Sequence, residues 1–251
     1  MKPSEYDKLD RAEDRMWWFA AMHANLLLAA QRSALDELDL PILDAGCGTG
    51  GFLGRLAVKY CGKPVFGLDL DLEACTRAAT KSARPVCVGS VNDLPFANGA
   101  LAAIFSADVL CHQGVDDNRA LRQFHRCLSQ NGQLILNLPA YRWMQSRHDL
   151  AVSNTRRYTA TGLRRLLKGV GFRPVYISYW NALLFPLMVI TRKLVSHRHG
   201  VVSDVKLYPR SVEILCRAAT ALETALLHRG VGLPFGGSIL AIAVKGGGGR
   251  D

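Results

Sequence analysis

The segment Leu43-Asp44-Ala45-Gly46-Cys47-Gly48-Thr49-Gly50-Gly51 restricts what this chain can fold into more than any other stretch. An apolar run that closes on an acidic residue and then alternates glycines joins a buried strand to a helix through a turn that lets a ligand touch backbone. Glycine suits such a turn because it accepts positive φ and has no Cβ to hold a ligand off. The same kind of turn opens dinucleotide-binding units, where a pyrophosphate sits at the helix N-terminus. By itself it is a nucleotide cradle whose cofactor is undefined.

Three later signals narrow the choice. Val65-Phe66-Gly67-Leu68-Asp69-Leu70 reads as a second buried strand ending in Asp69, a carboxylate able to accept both hydroxyl hydrogens of a ribose. Gly89-Ser90-Val91-Asn92-Asp93-Leu94-Pro95-Phe96 precedes the apolar run Leu101 to Val109 and then Leu110-Cys111-His112. Leu128 to Leu134, with Asn131-Gly132 inside it, reads as a turn into a further strand. Taken in this order, the four signals resemble the class I S-adenosylmethionine-dependent methyltransferases, in particular the small-molecule "type 11" superfamily.

That resemblance implies a fold, a cofactor and a set of residues. The fold is α/β: a Rossmann-like seven-stranded, mostly parallel sheet with helices on both faces, its last strand antiparallel and a helical cap inserted before it. The cofactor is S-adenosylmethionine, leaving as S-adenosylhomocysteine. Gly46, Cys47, Gly48 and Gly50 would border its methionine part, and Asp69 and the adjoining Leu70 its ribose. Asp44 would either hold the donor's ammonium group or fix the loop by accepting backbone N–H bonds. Ser90 stands where many relatives have an aspartate for the adenine amino group, and a hydroxyl accepts that bond more weakly. Val91 would line the adenine face, and Ser106 would lie at the methionine end.

Apolar runs alternate with amphipathic segments through the first two thirds, the pattern of a parallel sheet covered on both faces. The spacing predicts strands near 41–46, 65–70, 85–90, 101–109 and 132–140, and helices near 50–60, 72–82 and 116–128. Asp71 and Thr159 are N-cap candidates, the second for a helix ending about Gly169. A strand is expected over 175–179, apolar and amphipathic helices over 181–199 and 209–228, and a last strand from Gly236. We expect one methyltransferase domain over 1–251. It comprises an N-terminal helical lid (1–40), the donor-binding core (41–140), a substrate-side region (141–235) with a helical insertion at about 181–230, the final strand (236–245) and a disordered tail (246–251).

Methyl transfer is a displacement from a positively charged sulfur, so orientation supplies much of the acceleration, and a base is needed only where the acceptor must lose a proton. His112, just after the fourth strand, is either that base or a histidine fixing Asp108 or a backbone group. His148 and Tyr158 are the other catalytic candidates, on the stretch Pro139 to Asp149 and its sequel Arg156-Arg157-Tyr158. This stretch resembles a recurring bacterial subgroup with Pro-Ala-Tyr, His-Asp and Arg-Arg-Tyr in that order. Tyr141, Trp143 and Arg157 are expected to face the acceptor, with His148 paired to Asp149. Trp18 and Phe19, in an aromatic segment starting at Glu13, either cover the donor and exclude water or dock on the sheet edge.

Charge is unevenly placed. Through Ala140 there are 14 basic and 16 acidic residues, and from Tyr141 onward 17 and 5, which together make the net +10 of the chain. A basic C-terminal half points to an anionic partner. The expected acceptor is a small or lipid-like molecule. The apolar insertion with Arg192, Lys193, Arg198 and Lys206 would either rest on a membrane surface or cap the substrate cavity. Nucleic acid is disfavoured: no appended RNA-binding module or dense basic run is present, and Asn137-Leu138-Pro139-Ala140-Tyr141 follows the fifth strand, not the fourth as in amino-methylating enzymes. The seven cysteines lie singly, which argues against both a metal site and a disulfide framework and fits a reducing cytoplasm. No export signal is read at the N-terminus, and the longest apolar stretch, 182–195, is too short to span a bilayer. A non-catalytic donor-binding or scaffold protein is the alternative from another functional class.

Overall fold

The computed structural model describes residues 7, 10–31, 35, 38–192 and 208–246. The expected Lys193, Arg198 and Lys206 and the tail beyond Gly246 lie outside them. Along the chain come α1 (Trp17–Gln31), β1 (Ile42–Ala45), α2 (Gly51–Lys59), β2 (Val65–Asp69), α3 (Leu72–Ser82), β3 (Val86–Val88), β4 (Leu101–Ala107), α4 (Asp117–Cys127) and β5 (Leu128–Pro139). After a short 3-10 turn (Arg142–Met144) follow α5 (Arg147–Ala151), α6 (Ala160–Gly169), β6 (Phe172–Trp180), α7 (Phe185–Ile190), α8 (Arg210–His228) and β7 (Ser238–Lys245).

The seven strands form one sheet in the order β3-β2-β1-β4-β5-β7-β6. β1 pairs in parallel with both β2 and β4, while β7 runs antiparallel to β5 and β6. The chain therefore leaves β1 for one side of the sheet and returns to the other side through β4. Where crossovers diverge in this way, a crevice opens beyond the carboxyl ends of the strands.

Successive strand residues point to opposite faces, and the central strands are apolar at both. Ile42, Phe105, Ile135 and Leu240 meet α1, α2 and the C-terminal end of α8 on one face, against Leu26, Phe52, Leu53 and Leu227. Leu43, Ile104, Leu134 and Ile239 meet α4 and α6 on the other, against Leu121, Phe124, Leu163 and Leu167. The local signals act as read: Asp71 accepts from the amides of Glu73 and Ala74, and Thr159 from that of Gly162.

Three boundaries differ from expectation. The turn expected over 128–134 is a bulge inside β5, with Asn131 at φ +62° and the β4–β5 register jumping from Leu101↔Leu128 to Ala103↔Gln133. β6 begins three residues early, at Phe172, because its whole length pairs with β7. The helix expected from Asn181 starts only at Phe185. Asn181 takes φ +60°, and the buried Glu223 of α8 accepts the amides of Ala182 (3.1 Å) and Leu183 (2.8 Å), which holds that turn out of the helix.

Candidate functional site

The glycine turn lies in the crevice between β1 and β4. Gly46 has φ +85° and Gly50 φ +92°, and their neighbours also forbid a side chain. A Cβ on Gly46 would sit 2.2 Å from Cγ2 of Val109, and one on Gly50 2.6 Å from Cα of Ala78. The β4 exit and α3 thus close on the turn from two sides. The amides of Gly46 and Cys47 donate to the Leu68 carbonyl at 2.7 and 3.0 Å. The Gly48 amide donates to Asp69 Oδ2 at 2.9 Å, and the Asp71 amide to Asp69 Oδ1 at 3.1 Å. Asp69 fastens the turn to the end of β2 and keeps on each oxygen a lone pair for a further donor.

Glu13, which the sequence marked only as the start of the aromatic segment, completes the turn. Its carboxylate is buried, accepts the Thr49 hydroxyl at 2.7 Å and the Gly51 amide at 3.2 Å, and pairs with Lys81. An anion on the first amides of α2 is favoured by the helix dipole. The partners lie 36 and 38 residues away in sequence, and no local pattern announces them.

Asp44 behaves differently. It is 2 % exposed, and Oδ2 has no hydrogen-bond partner. The amides of Gly46, Cys47, Gly48, Gly50 and Gly51 go to Leu68, Asp69, Cys47 and Glu13, so fixing the loop is not its task. Burial, with Asp69 and Glu13 adding to it, pushes its carboxyl up to about 8. A buried acceptor without a partner is costly in a native fold and calls for an explanation, and a cationic ligand group supplies one. Ser106, at the end of β4, also has its hydroxyl buried and unpartnered. On the far side, Ser90 accepts the Asn92 amide at 3.2 Å and closes a turn that buries Val91. Leu70 is exposed at the rim, and Cys47 is a buried thiol raised by its surroundings, so that it offers backbone alone.

The state of Asp44 makes cation binding proton-linked. An unfolded aspartate ionises near 3.9, whereas Asp44 in the ligand-free fold keeps its proton up to about 8. Between those values the native state holds the extra proton, so the ligand-free fold loses stability as pH rises towards 8. A bound cation favours the ionised form and expels that proton. Affinity for S-adenosylhomocysteine should therefore rise by up to ~10-fold from pH 6 to pH 7, and Asp44→Asn should flatten the curve. Calorimetry in buffers of different ionisation enthalpy reads both affinity and proton release; a pH-independent affinity in the unaltered protein would sink the assignment.

The other expected residues divide. Tyr141 closes the β5 exit at φ +57°, ψ +113°, a sparsely populated conformation for a residue with a Cβ. Its ring stacks on Tyr179 (5.1 Å, 12°) and Trp143 (5.7 Å, 28°) and meets Phe185 at 5.6 Å; burial and Tyr179 push its hydroxyl up to about 12. Phe185 in turn meets Phe235. Trp143 and Phe235 are half exposed, and Leu183, Leu187 and Ile190 around α7 are more than half or about half exposed. These residues form an aromatic shelf with an apolar rim. Trp18 stacks on Trp180 (6.0 Å, 29°), and Phe19 is buried against His23 and Trp18, so that Phe19 is a core residue.

Arg157 and Tyr158 are committed elsewhere. Arg157 donates to both oxygens of Asp149 at 3.0 Å and to the Ala140 carbonyl at 2.9 Å, with the pair essentially buried. Asp149 also takes the Ser146 amide and hydroxyl, so the expected His148–Asp149 pair is replaced by Arg157–Asp149; adjacent residues on α5 point apart. The Tyr158 hydroxyl donates to the Leu110 carbonyl (3.0 Å) and reaches Asp117 (3.2 Å), a brace between α4 and the β4 exit. Arg156 holds the same exit through the carbonyls of Leu110, His112 and Val115. His112 is largely buried and kept neutral by desolvation, its ring bonded to the Val152 backbone and close enough to Asp69 to feel its charge. His148 is half-buried on α5, next to the shelf's loop.

Residues 43–136 match the family model described as a methyltransferase domain. A malonyl-[acyl-carrier protein] O-methyltransferase of Dechloromonas aromatica is 30% identical over 141 residues, 56% of this chain and 52% of that protein. The chain spans about half the length, or less, of the curated relatives it matches. Among solved structures, a complex between the Haloferax volcanii Trm112 methyltransferase activator and a methyltransferase superposes with a TM-score of 0.63 at 16% identity, covering 99% of this chain and 97% of that one. Geranyl diphosphate C-methyltransferase from Streptomyces coelicolor, in complex with magnesium, geranyl diphosphate and S-adenosylhomocysteine, gives 0.55 at 17% identity over 82% and 73% of the two chains.

Proposed function

We propose that this chain, whose residues 43–136 match the methyltransferase-domain model, transfers a methyl group from S-adenosylmethionine to a small or lipid-like, anionic acceptor. The observation that carries the proposal is the pairing of two carboxylates at the β1–β4 crevice. Asp69 is pinned where a ribose can use its free lone pairs, and Asp44 is buried with an oxygen that no protein group satisfies. That set suits a nucleoside with a cationic tail, which favours the ionised form of Asp44, whereas an anionic pyrophosphate would hold the buried acid in its neutral form and gain no charge pairing from it. The backbone of Gly46, Cys47, Gly48 and Gly50 borders the tail, Ser90 and Val91 the base, Leu70 the rim and Ser106 the methyl-transfer end.

The donor, when bound, supplies an activated methyl on sulfur. The chain's own contribution is orientation: Asp69 and the glycine turn set the donor, and the Tyr141–Trp143–Phe185–Phe235 shelf sets an apolar acceptor opposite it. Trp18 screens the crevice from water. The basic excess of the C-terminal half supports an acceptor with an anionic group. Its delivery from a membrane surface is part of the proposal, resting on the exposed apolar rim at α7; no helix among the described residues is long and apolar enough to cross a membrane. All seven cysteines are free thiols, in keeping with the cytoplasmic location we propose.

Thermal unfolding with S-adenosylhomocysteine and with NAD separates this reading from a dinucleotide enzyme. At 100 times its Kd the former should raise Tm by roughly 5–10 °C, from about 2.7 kcal/mol of linkage in a chain of this size. NAD should leave Tm unchanged. Stabilisation by NAD instead would overturn the cofactor. Stabilisation by S-adenosylhomocysteine without methylation of any acceptor in a broad screen would leave a donor-binding protein.

A further inference from the structure

Two of the three groups the sequence offered as bases are committed elsewhere, and the third, His148, sits on α5 beside the shelf's loop. Tyr158 braces Leu110 and Asp117, His112 is bonded to the Val152 backbone, and Asp149, the neighbour of His148, is spent on Arg157. One carboxyl near the transfer end is not. Asp108 follows β4 directly, two residues after Ser106, and is held at φ +55°. Asn137 of β5 fixes it twice: the Asp108 amide donates to the Asn137 carbonyl at 2.8 Å, and Asn137 Nδ2 donates to Asp108 Oδ1 at 3.1 Å. The amide of Asn137 cannot turn over, because its Oδ1 takes the Trp180 indole N–H at 2.8 Å, and Trp180 stacks on Trp18. Oδ2 of Asp108 is left to take a further proton.

We propose that Asp108 is the proton acceptor for the acceptor molecule, and that the natural acceptor presents a hydroxyl on an apolar body. This rests on the proposed methyl transfer and deepens it. As the hydroxyl oxygen forms its bond to the methyl carbon, the carbon–sulfur bond breaks, the electron pair stays on sulfur and neutralises its charge, and the O–H proton moves to Asp108 Oδ2. The proton then leaves to solvent. A carboxylate acceptor, already ionised at neutral pH, needs no such group.

The surroundings suit the task. Asn137 faces Asp108 from β5, Cys111 donates to its carbonyl from the same loop, and the buried Arg157–Asp149 pair stands behind it. Burial raises the carboxyl to about 7, with Asp149 adding to it and Arg157 and Asn137 opposing, so both protonation states are accessible near neutrality. The strained φ is tolerated by an aspartate or asparagine better than by most residues, which makes Asp108→Asn a fair test: its amide oxygen can keep the Asn137 bond.

Two measurements test the assignment. In aspartate-labelled protein saturated with S-adenosylhomocysteine, the carbon-13 carboxyl resonance that Asp108→Asn removes should titrate between about 6 and 8; a midpoint below about 5, in the ordinary carboxylate range, would overturn the role. With 4-octylphenol and octanoate as acceptor probes, the unaltered protein should methylate the phenol, and Asp108→Asn should slow that by about 100-fold or more while donor affinity stays within about twofold. Methylation of octanoate but not the phenol, or equal phenol rates in the two proteins, would overturn it. If the donor binds and neither these probes nor any acceptor of the broad screen is methylated, the underlying methyl-transfer reading fails instead.

Discussion

Asp69→Ala is expected to weaken S-adenosylhomocysteine binding by roughly 100- to 1,000-fold, the largest loss from any single substitution at the donor site. Two charge-assisted hydrogen bonds to ribose hydroxyls would go, each worth about 1.5–3 kcal/mol. The turn loosens as well, because the Gly48 amide loses its acceptor and the Asp71 amide loses the other oxygen. The helix that follows survives, since α3 is capped by Asp71 through Glu73 and Ala74 and not by Asp69. Circular dichroism should therefore be nearly unchanged while calorimetry shows the loss. Binding within threefold of the unaltered protein would mean that Asp69 serves only the turn.

Arg157→Met should act on stability in place of donor affinity. Removing one partner of a buried ion pair strands the other charge and costs about 3–5 kcal/mol, which for a chain of this length lowers Tm by roughly 6–20 °C. Asp149 keeps the Ser146 amide and hydroxyl, but its charge is buried and uncompensated. Combining the change with Asp149→Leu should recover most of the loss, as apolar replacement of a whole buried pair is often neutral or better. Had Arg157 faced the acceptor as its sequence context suggested, the single change would instead raise KM and leave Tm in place. Differential scanning fluorimetry of the three variants decides between these outcomes.

The legible parts of the fold were those whose cause is local. β1, β2 and β4 could be read because strands buried on both faces leave an unbroken apolar run, and Asp71 and Thr159 because an N-cap bonds amides two or three residues on. The start of α7 could not, since it is set by Glu223, some 40 residues away. In the site, Asp44 and Asp69 were found by their place after apolar strands. Glu13 and Asp108 were not singled out, because nothing beside them in sequence says that Gly51 or Asn137 will meet them.

The sequence by itself determined the strands and helices of an α/β sheet through its βα alternation, and the class of ligand the glycine turn admits, because periodicity and turn chemistry are properties of neighbouring residues. The tertiary structure decided which polar groups are spent and which are free. It committed Arg157, Asp149 and Tyr158 to holding the scaffold, tied His112 to the Val152 backbone, and left Asp44 Oδ2 without a protein partner. A carboxylate's chemistry depends on whether its charge is paired and how deeply it is desolvated, and both are settled by residues that only the folded chain brings together.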